Sequence, residues 1–284
     1  MITEIPVGIS IMAAGYCLHP ERLTLRGGSL KPVAFPAGFA LIRHPQYGPI
    51  LFDTGYSARF FQETASLPAS LYRRITPVVY SEDESAVRQL KAGGIAPEDV
   101  QYIILSHFHA DHIGGVRDFP QAKFIYLRKS YDAVSRLGPV RATKAGFLPG
   151  LLPEQFNIRS LPVDEFSATR LLPPGLPFKE AYDLLGDGSL LAVELSGHAA
   201  GMIGLFLSTG EHDYLLCADT VWSSRAFREN RKPHPAAALI MSSRAEYRLN
   251  FERLRQIHSQ FPQLRIVPSH CREALVWWGT GGAQ

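Results

Sequence analysis

Ser106-His107-Phe108-His109-Ala110-Asp111-His112-Ile113-Gly114-Gly115 decides how the rest of the chain is read. It places three imidazoles and a carboxylate within six residues, directly after the apolar run Tyr102-Ile103-Ile104-Leu105. Packing asks for no such density of Lewis bases. Side chains of an extended segment repeat every second residue, so His107 and His109 point the same way and can close on one cation. Asp111 and His112 follow where the chain turns, and Gly114-Gly115 frees the backbone to fold back and aim them at a second cation beside the first. The competing reading is a helix head with surface histidines and Asp111 as its cap. Capping does not call for His-x-His-x-Asp-His, and further candidate ligands downstream weigh against it.

Those ligands follow apolar runs in the second half. His198 lies in Ser196-Gly197-His198, Asp219 follows Leu215 to Ala218, and His270 follows Ile266-Val267. Singly, each is a weak signal. Upstream, Ile50-Leu51-Phe52 stops at Asp53-Thr54-Gly55, and a carboxylate ending a buried strand needs a partner. Asp53 is either an acceptor that orients the metal loop from behind or a turn cap. Tyr214 to Ala218 followed by Asp219-Thr220 repeats the strand-then-acid form, which points to two similar sheet halves meeting at one edge.

Strands are expected at 5–14, 31–43, 50–52, 101–105, 122–127, 190–195, 202–207, 214–218 and 264–267, with Pro36 and Gly38 interrupting the second. Ser81-Glu82-Asp83-Glu84 has capping-box form ahead of a helix that Gly93-Gly94 ends. Helices are also expected at 129–137 and 243–259. Residues 138–188 lack clear periodicity and hold seven prolines among many Leu and Phe. We read them as a lid of short helices and loops walling an apolar pocket, within a single domain spanning 1–284.

Composition is that of an ordinary globular chain: 284 residues, 46% hydrophobic, 19% charged, with a formal charge of +3 that is too mild to imply nucleic acid. The arginines at 225–255 interleave with Glu246 and Glu252 and lack an aromatic platform, so they read as a solvated face. No run reaches the roughly 20 apolar residues of a membrane span. Met1 to Glu4 lack the positive start of a secretory signal, and Cys17, Cys217 and Cys271 are odd in number and far apart. A reducing, cytoplasmic setting is expected. Cys271 is assigned to packing, and His19, His44, His212, His234 and His258 to the surface.

In order, His-x-His-x-Asp-His, His, Asp, His resembles the metallo-β-lactamase-fold hydrolases, over residues from about 30 to 271. The resemblance implies an αββα sandwich, two mixed sheets face to face with helices outside and the metals at one edge. It implies that His107, His109 and His198 hold one ion, that Asp111, His112 and His270 hold the other, and that Asp219 bridges. Two divalent ions follow, zinc as the family most often has it, although iron, manganese or cobalt suit the same donors. The implied chemistry is attack of a hydroxide held between the ions, with Asp111 passing a proton to the leaving atom. Set against Asp111, Asp219 and one hydroxide, two divalent ions leave a formal net of plus one, which favours an oxyanion.

Within the family the chain looks most like the N-acyl homoserine lactonases (quorum-quenching enzymes), through Gly15-Tyr16-Cys17, the segment Gly48 to Gly55, the Leu/Pro-rich insert and the short tail after His270. Such lactonases usually carry a tyrosine three residues after the bridging Asp, where this chain has Trp222. An acyl lactone or another ester is the expected substrate, with Phe108, Phe147, Phe156 and Trp222 as candidate pocket walls. Thioesterases of the fold add a helical C-terminal extension, whereas 14 residues follow His270 here. Phosphodiesterases want a basic exosite, secreted β-lactamases a thiolate ligand, and a non-catalytic binder has no need of all seven donors.

Overall fold

The computed structural model describes residues 2–278, with 277 and 278 by backbone alone; the start at Met1 and the end of the tail, 279–284, lie outside the described residues. Among the described residues there are thirteen strands: β1 (Gly8–Pro20), β2 (Pro32–His44), β3 (Gly48–Phe52), β4 (Val78–Val79), β5 (Tyr102–Ile104), β6 (Lys123–Tyr126), β7 (Ser160–Pro162), β8 (Ala168–Leu171), β9 (Glu180–Asp183), β10 (Leu191–Glu194), β11 (Ile203–Ser208), β12 (Asp213–Ala218) and β13 (Arg265–Pro268). They form a seven-stranded sheet, β4-β1-β2-β3-β5-β6-β7, and a six-stranded sheet, β13-β12-β11-β10-β9-β8. Both are mixed. β3, β5, β6 and β7 run parallel, as do β12 and β13, and the remaining pairs are antiparallel.

Alternation within the first sheet shows why it is a middle layer. Ala40 and Ile42 of β2, Ile50 and Phe52 of β3, Ile104 of β5 and Ile125 of β6 face the second sheet in one core. Their neighbours Phe39, Leu41, Leu51, Ile103, Phe124 and Tyr126 face the opposite way, into a core shared with Phe60, Leu90, Ile113 and Phe119. Strands buried on both faces read as continuous apolar runs, which is how these appear in the sequence. On the far side of the second sheet the helix Arg244–Gln260 buries Tyr247, Phe251, Leu254 and Ile257. Their three- and four-residue spacing is one helical stripe.

Several expected boundaries move. β1 extends to Pro20 because it pairs with β2 along its whole length, through an irregularity between Ala13 and Tyr16. Proline and glycine do not interrupt β2. Pro36 and Gly38 are where it meets the loop carrying His270: Gly38 N donates to Ser269 O at 3.1 Å, and a Cβ on Gly38 would lie 2.2 Å from that oxygen. The cap of Ala86–Ala92 is Ser85, whose Oγ accepts from Arg88 N, while 82–84 form a separate 3-10 turn.

Residues 138–188 depart furthest from expectation. They supply β7 to the first sheet and β8 and β9 to the second, with short helical turns at Pro139–Lys144, Pro149–Leu151, Asn157–Arg159 and Val163–Phe166. Strands this short, set among prolines, leave no periodicity to detect. His44 also differs: it is buried, with Nε2 3.0 Å from both Ser189 Oγ and Asp187 Oδ2, and Nδ1 accepting from Gln46 N and Tyr47 N. Among the described residues, no helix is long and apolar enough to cross a membrane.

Candidate metal centre

The topology delivers the candidate residues to one edge. β3 and β5 are parallel, so Asp53 and the 106–112 loop leave them at the same end. β12 and β13 are parallel and β10 is two antiparallel steps from β12, so His198, Asp219 and His270 leave the second sheet in a common direction. Backbone bonds between the sheets close the edge, with Ile203 N donating to Ser106 O at 3.0 Å.

All seven donors converge. His107, His109 and His198 form one group, His107, His112 and Asp219 a second, and Asp111, His112 and His270 a third, with ligand atoms in each within 4.8 Å of one another. The groups share His107 and His112, so they form one continuous constellation. His198 Nε2 lies 2.9 Å from His109 Nδ1, and His270 Nε2 lies 2.9 Å from Asp219 Oδ2 and 3.4 Å from Asp111 Oδ2.

Whether these residues suit cations can be tested on their unused atoms. His107 Nε2, His112 Nε2 and Asp219 Oδ1 are buried without a hydrogen-bond partner. Buried polar atoms left unpaired are expensive, and convergent nitrogen and oxygen lone pairs are what a divalent ion would satisfy. The donor set fits a dinuclear centre.

Behind it, Asp53 is fully buried. Its Oδ1 accepts from Ser106 N at 2.8 Å, and its Oδ2 accepts from Ser106 Oγ at 2.7 Å and from His112 Nδ1 at 2.8 Å. That bond leaves Nε2 of His112 as the lone pair facing the cluster. His270 is oriented the same way, its Nδ1 lying 2.7 Å from Pro36 O. Both strand-then-acid units share a backbone feature: Asp53 and Ala218 have φ of 59° and 47°, the left-handed region that side-chain-bearing residues seldom occupy. The glycines work otherwise than expected. Gly114 has an ordinary helical φ of −58°, and its value lies in close approach, since a Cβ there would sit 2.5 Å from Gly55 O.

Charge divides the histidines. Burial holds His107, His109 and His198 below the ordinary range, His109 at about 3. For His112 and His270 burial acts in the same sense, but the carboxylates Asp53, Asp219 and Asp111 beside His112, and Asp219 and Asp111 beside His270, outweigh it and raise both. Burial would raise the Asp219 carboxyl, and His270 and His112 instead hold it well below the carboxylate range.

The expected pocket walls are not where the sequence reading put them. Phe108 packs edge-on against Tyr126 and Phe156, and Phe156 stacks on Phe124 at 5.1 Å; with Phe147 they belong to the core on the helix side of the first sheet. The reason is the alternation that joins His107 to His109, which sends the intervening Phe108 the other way. Trp222 does reach the centre, but as a neighbour of the ligands: its Nε1 donates to Asp219 Oδ2 at 3.0 Å. Around it lie Cys17, Phe35 and Ala237, with Val33, Val78 and Met241 partly buried against them. Sequence reasoning gave none of these a place at the centre, Gly15-Tyr16-Cys17 having entered it only as a family resemblance. Burial, then the nearness of Asp111 and Asp219, pushes the Cys17 thiol up, and it is not among the grouped donors. Cys271 Sγ sits 3.3 Å from Ser224 N, away from the cluster.

The family model for the metallo-beta-lactamase superfamily matches residues 40–270. The chain belongs to that superfamily. It is a metal-dependent hydrolase with a His/Asp ligand cluster. Among curated members it is 29% identical over 239 residues to the N-acyl homoserine lactonase AttM of Azorhizobium caulinodans, covering 81% of each chain. It is 28% identical over 240 residues to AttM of Agrobacterium fabrum, again covering 81% of each. Among solved members of the fold, an N-acyl homoserine lactone hydrolase with N-hexanoyl-L-homoserine at its catalytic metal centre superposes with a TM-score of 0.67 at 20% identity, covering 98% of this chain and 97% of that one. A probable metal-dependent hydrolase from Staphylococcus aureus gives 0.68 at 14% identity, covering 94% and 91%.

Proposed function

We propose that the protein opens the ring of N-acyl homoserine lactones, a quorum-quenching activity, using two divalent ions, zinc by preference. What carries the reading is the convergence of all seven donors from strand ends of both sheets, supported by likeness to the AttM lactonases over most of the chain. His107, His109 and His198 would hold one ion, Asp111, His112 and His270 the other, and Asp219 both. When bound, such a pair supplies hydroxide at neutral pH and polarises a carbonyl.

The chain's own residues do the rest. Asp53 and Pro36 O fix the ring orientations of His112 and His270. Asp111, at the rim of the cluster beside His270, takes up the proton of the attacking water and returns it to the ring oxygen as the carbon–oxygen bond breaks. One water is added across the ester bond, giving an acyl homoserine. A hydrolase of simple carboxylic esters or thioesters is the second reading, and one observation favours it: the N–H of Trp222 is engaged by Asp219, so the position that bears tyrosine in the lactonases offers a substrate carbonyl no free donor.

The deciding experiment is a panel of acyl lactones of graded chain length, p-nitrophenyl esters, a thioester and bis-p-nitrophenyl phosphate, run on metal-reconstituted protein. Lactone turnover that depends on acyl length supports the first reading. Ester turnover without lactone turnover selects the second, and activity on the phosphodiester alone overturns both.

A further inference from the structure

Trp222 is buried on the turn leaving β12. An indole nitrogen can only donate, and here its one N–H is spent on Asp219 Oδ2 at 3.0 Å. His270 Nε2 lies 2.9 Å from the same oxygen. The other oxygen, Oδ1, is buried, has no hydrogen-bond partner, and lies 3.3 Å from His112 Nε2. Both oxygens thus face candidate ligands, Oδ2 also lying 3.4 Å from His198 Nε2, and the Trp222 N–H holds Oδ2 from outside the donor set.

The ring makes a second connection. It meets His198 edge-on, with centroids 5.3 Å apart and planes at 89°, and it lies 6.3 Å from Tyr247 at 29°, stacked. Tyr247 belongs to the Arg244–Gln260 helix, and the residues that lead into that helix also grip the His198 loop. Ser242 N donates to His198 O and Ser243 N to Gly197 O, each at 3.0 Å. A Cβ on Gly197 would lie 2.4 Å from Tyr247 N, so the loop and the helix approach as closely as backbones can. The indole is therefore backed by a long helix, faces one candidate ligand with its edge, and bonds another through its N–H.

We propose that Trp222 is a positioning residue of the metal centre. Its N–H sets the rotation of the Asp219 carboxylate, so that Oδ1 faces His112 while Oδ2 faces His198 and His270, and its ring holds His198 in place. It thereby couples ligands that arrive from different strand ends, β10 and β12. Partners that orient ligands in this way are worth about 10–100-fold in metal affinity. The proposal rests on the metal centre and not on the lactone reading, so the two can fail separately.

If the indole only fills space beside Cys17, Phe35 and Ala237, its N–H is dispensable; if it positions Asp219, the N–H is the part that counts. The test compares wild type, Trp222→Phe, and protein carrying 3-benzothienylalanine at 222, in which sulfur replaces N–H within the same outline. Metal-free protein is titrated with cobalt(II). Affinity is read by competition with a chromophoric chelator, and ligand geometry by the visible absorption of the bound cobalt.

The expected result for the benzothienyl protein is cobalt affinity lowered 10–100-fold and a displaced visible spectrum, with wild-type near-ultraviolet circular dichroism. Trp222→Phe should show the same loss or a larger one. Wild-type affinity and spectrum in the benzothienyl protein would overturn the proposal and return Trp222 to packing. Should the Phe variant fail to fold, the benzothienyl protein, which keeps the ring's volume, decides alone.

Discussion

Asp53→Asn isolates one electrostatic interaction with little steric change. Asparagine tolerates the left-handed φ of 59° at this position, so the backbone is not asked to move. Its amide oxygen can still accept from Ser106 N, the bond of 2.8 Å. The NH2 group then faces His112 Nδ1 and Ser106 Oγ, where the carboxylate oxygen accepted at 2.8 and 2.7 Å. Two N–H groups cannot face each other in a buried site, so the His112 proton must move to Nε2. That is the unpartnered atom 3.3 Å from Asp219 Oδ1, and a protonated nitrogen has no lone pair for a metal.

Losing a hydrogen bond to a charged group costs about 1.5–3 kcal/mol. At about 1.4 kcal/mol per tenfold, that is roughly a 10–100-fold weaker hold on the ion that His112 ligates. Competition against a chromophoric chelator should therefore show one ion bound as in wild type and the other weakened by that factor. Activity at limiting metal should fall in proportion and recover with excess metal. Folded Asp53→Asn protein that binds both ions with wild-type affinity would refute the tautomer argument.

Metal-free protein should be most stable near pH 6.5. His107, His109 and His198 are held below their unfolded 6.5, so the fold binds fewer protons than the open chain and stability climbs with pH, for His109 from about 3 to 6.5. Each such group contributes up to about 1.4 kcal/mol per pH unit within its window. His112 and His270 are raised, so the stability they add is fully present below 6.5 and is lost as pH rises through their folded values. Urea denaturation at a series of pH values checks the maximum, and a profile rising steadily to pH 9 contradicts it. Because those two rings must give up protons to ligate, cation uptake near pH 7 should release acid, measurable in a weakly buffered titration. Stripping metal should lower the melting temperature, since an ion at 100 times its dissociation constant adds about 2.7 kcal/mol. Gly114→Ala should cost about 1–3 kcal/mol, because its Cβ meets backbone atoms of Gly55 and Tyr56 at 2.5 and 2.9 Å. A change within about 0.5 kcal/mol in urea, the range of an ordinary surface substitution, would mean that the loop relaxes freely.

What could be read in advance was whatever a short period or a local density of donors betrays. His107 and His109 pair by alternation alone, the stripe Tyr247, Phe251, Leu254 and Ile257 has helical spacing, and Asp53 and Asp219 end apolar runs in the same way. Three kinds of feature were misread, each for a physical reason. Phe108 looked like a pocket wall because it sits inside the motif, and Phe147 and Phe156 because they fall in the segment read as a lid, yet strand alternation turns Phe108 into the core that the other two share. Pro36 and Gly38 looked like breaks, whereas their role is contact with Ser269 and His270, more than 200 residues away. His44 looked superficial because its partners Asp187 and Ser189 are also remote in the chain, Ser189 lying 145 residues away.

The donor-dense loop His107 to His112 and the apolar strand runs follow from the amino-acid order, because donor density and apolar periods are local properties; His198, Asp219 and His270, weak signals singly, joined them only through resemblance to a family. Which oxygen of Asp219 is free, which nitrogen of His112 faces the cluster, and what Trp222 touches were settled only when β3, β5, β10, β12 and β13 brought their ends to one edge. Those are relations between segments far apart in the chain. A hydrogen bond from Trp222 to a carboxylate three residues away depends on the backbone turn between them, and the orientation of His112 depends on a partner 59 residues away.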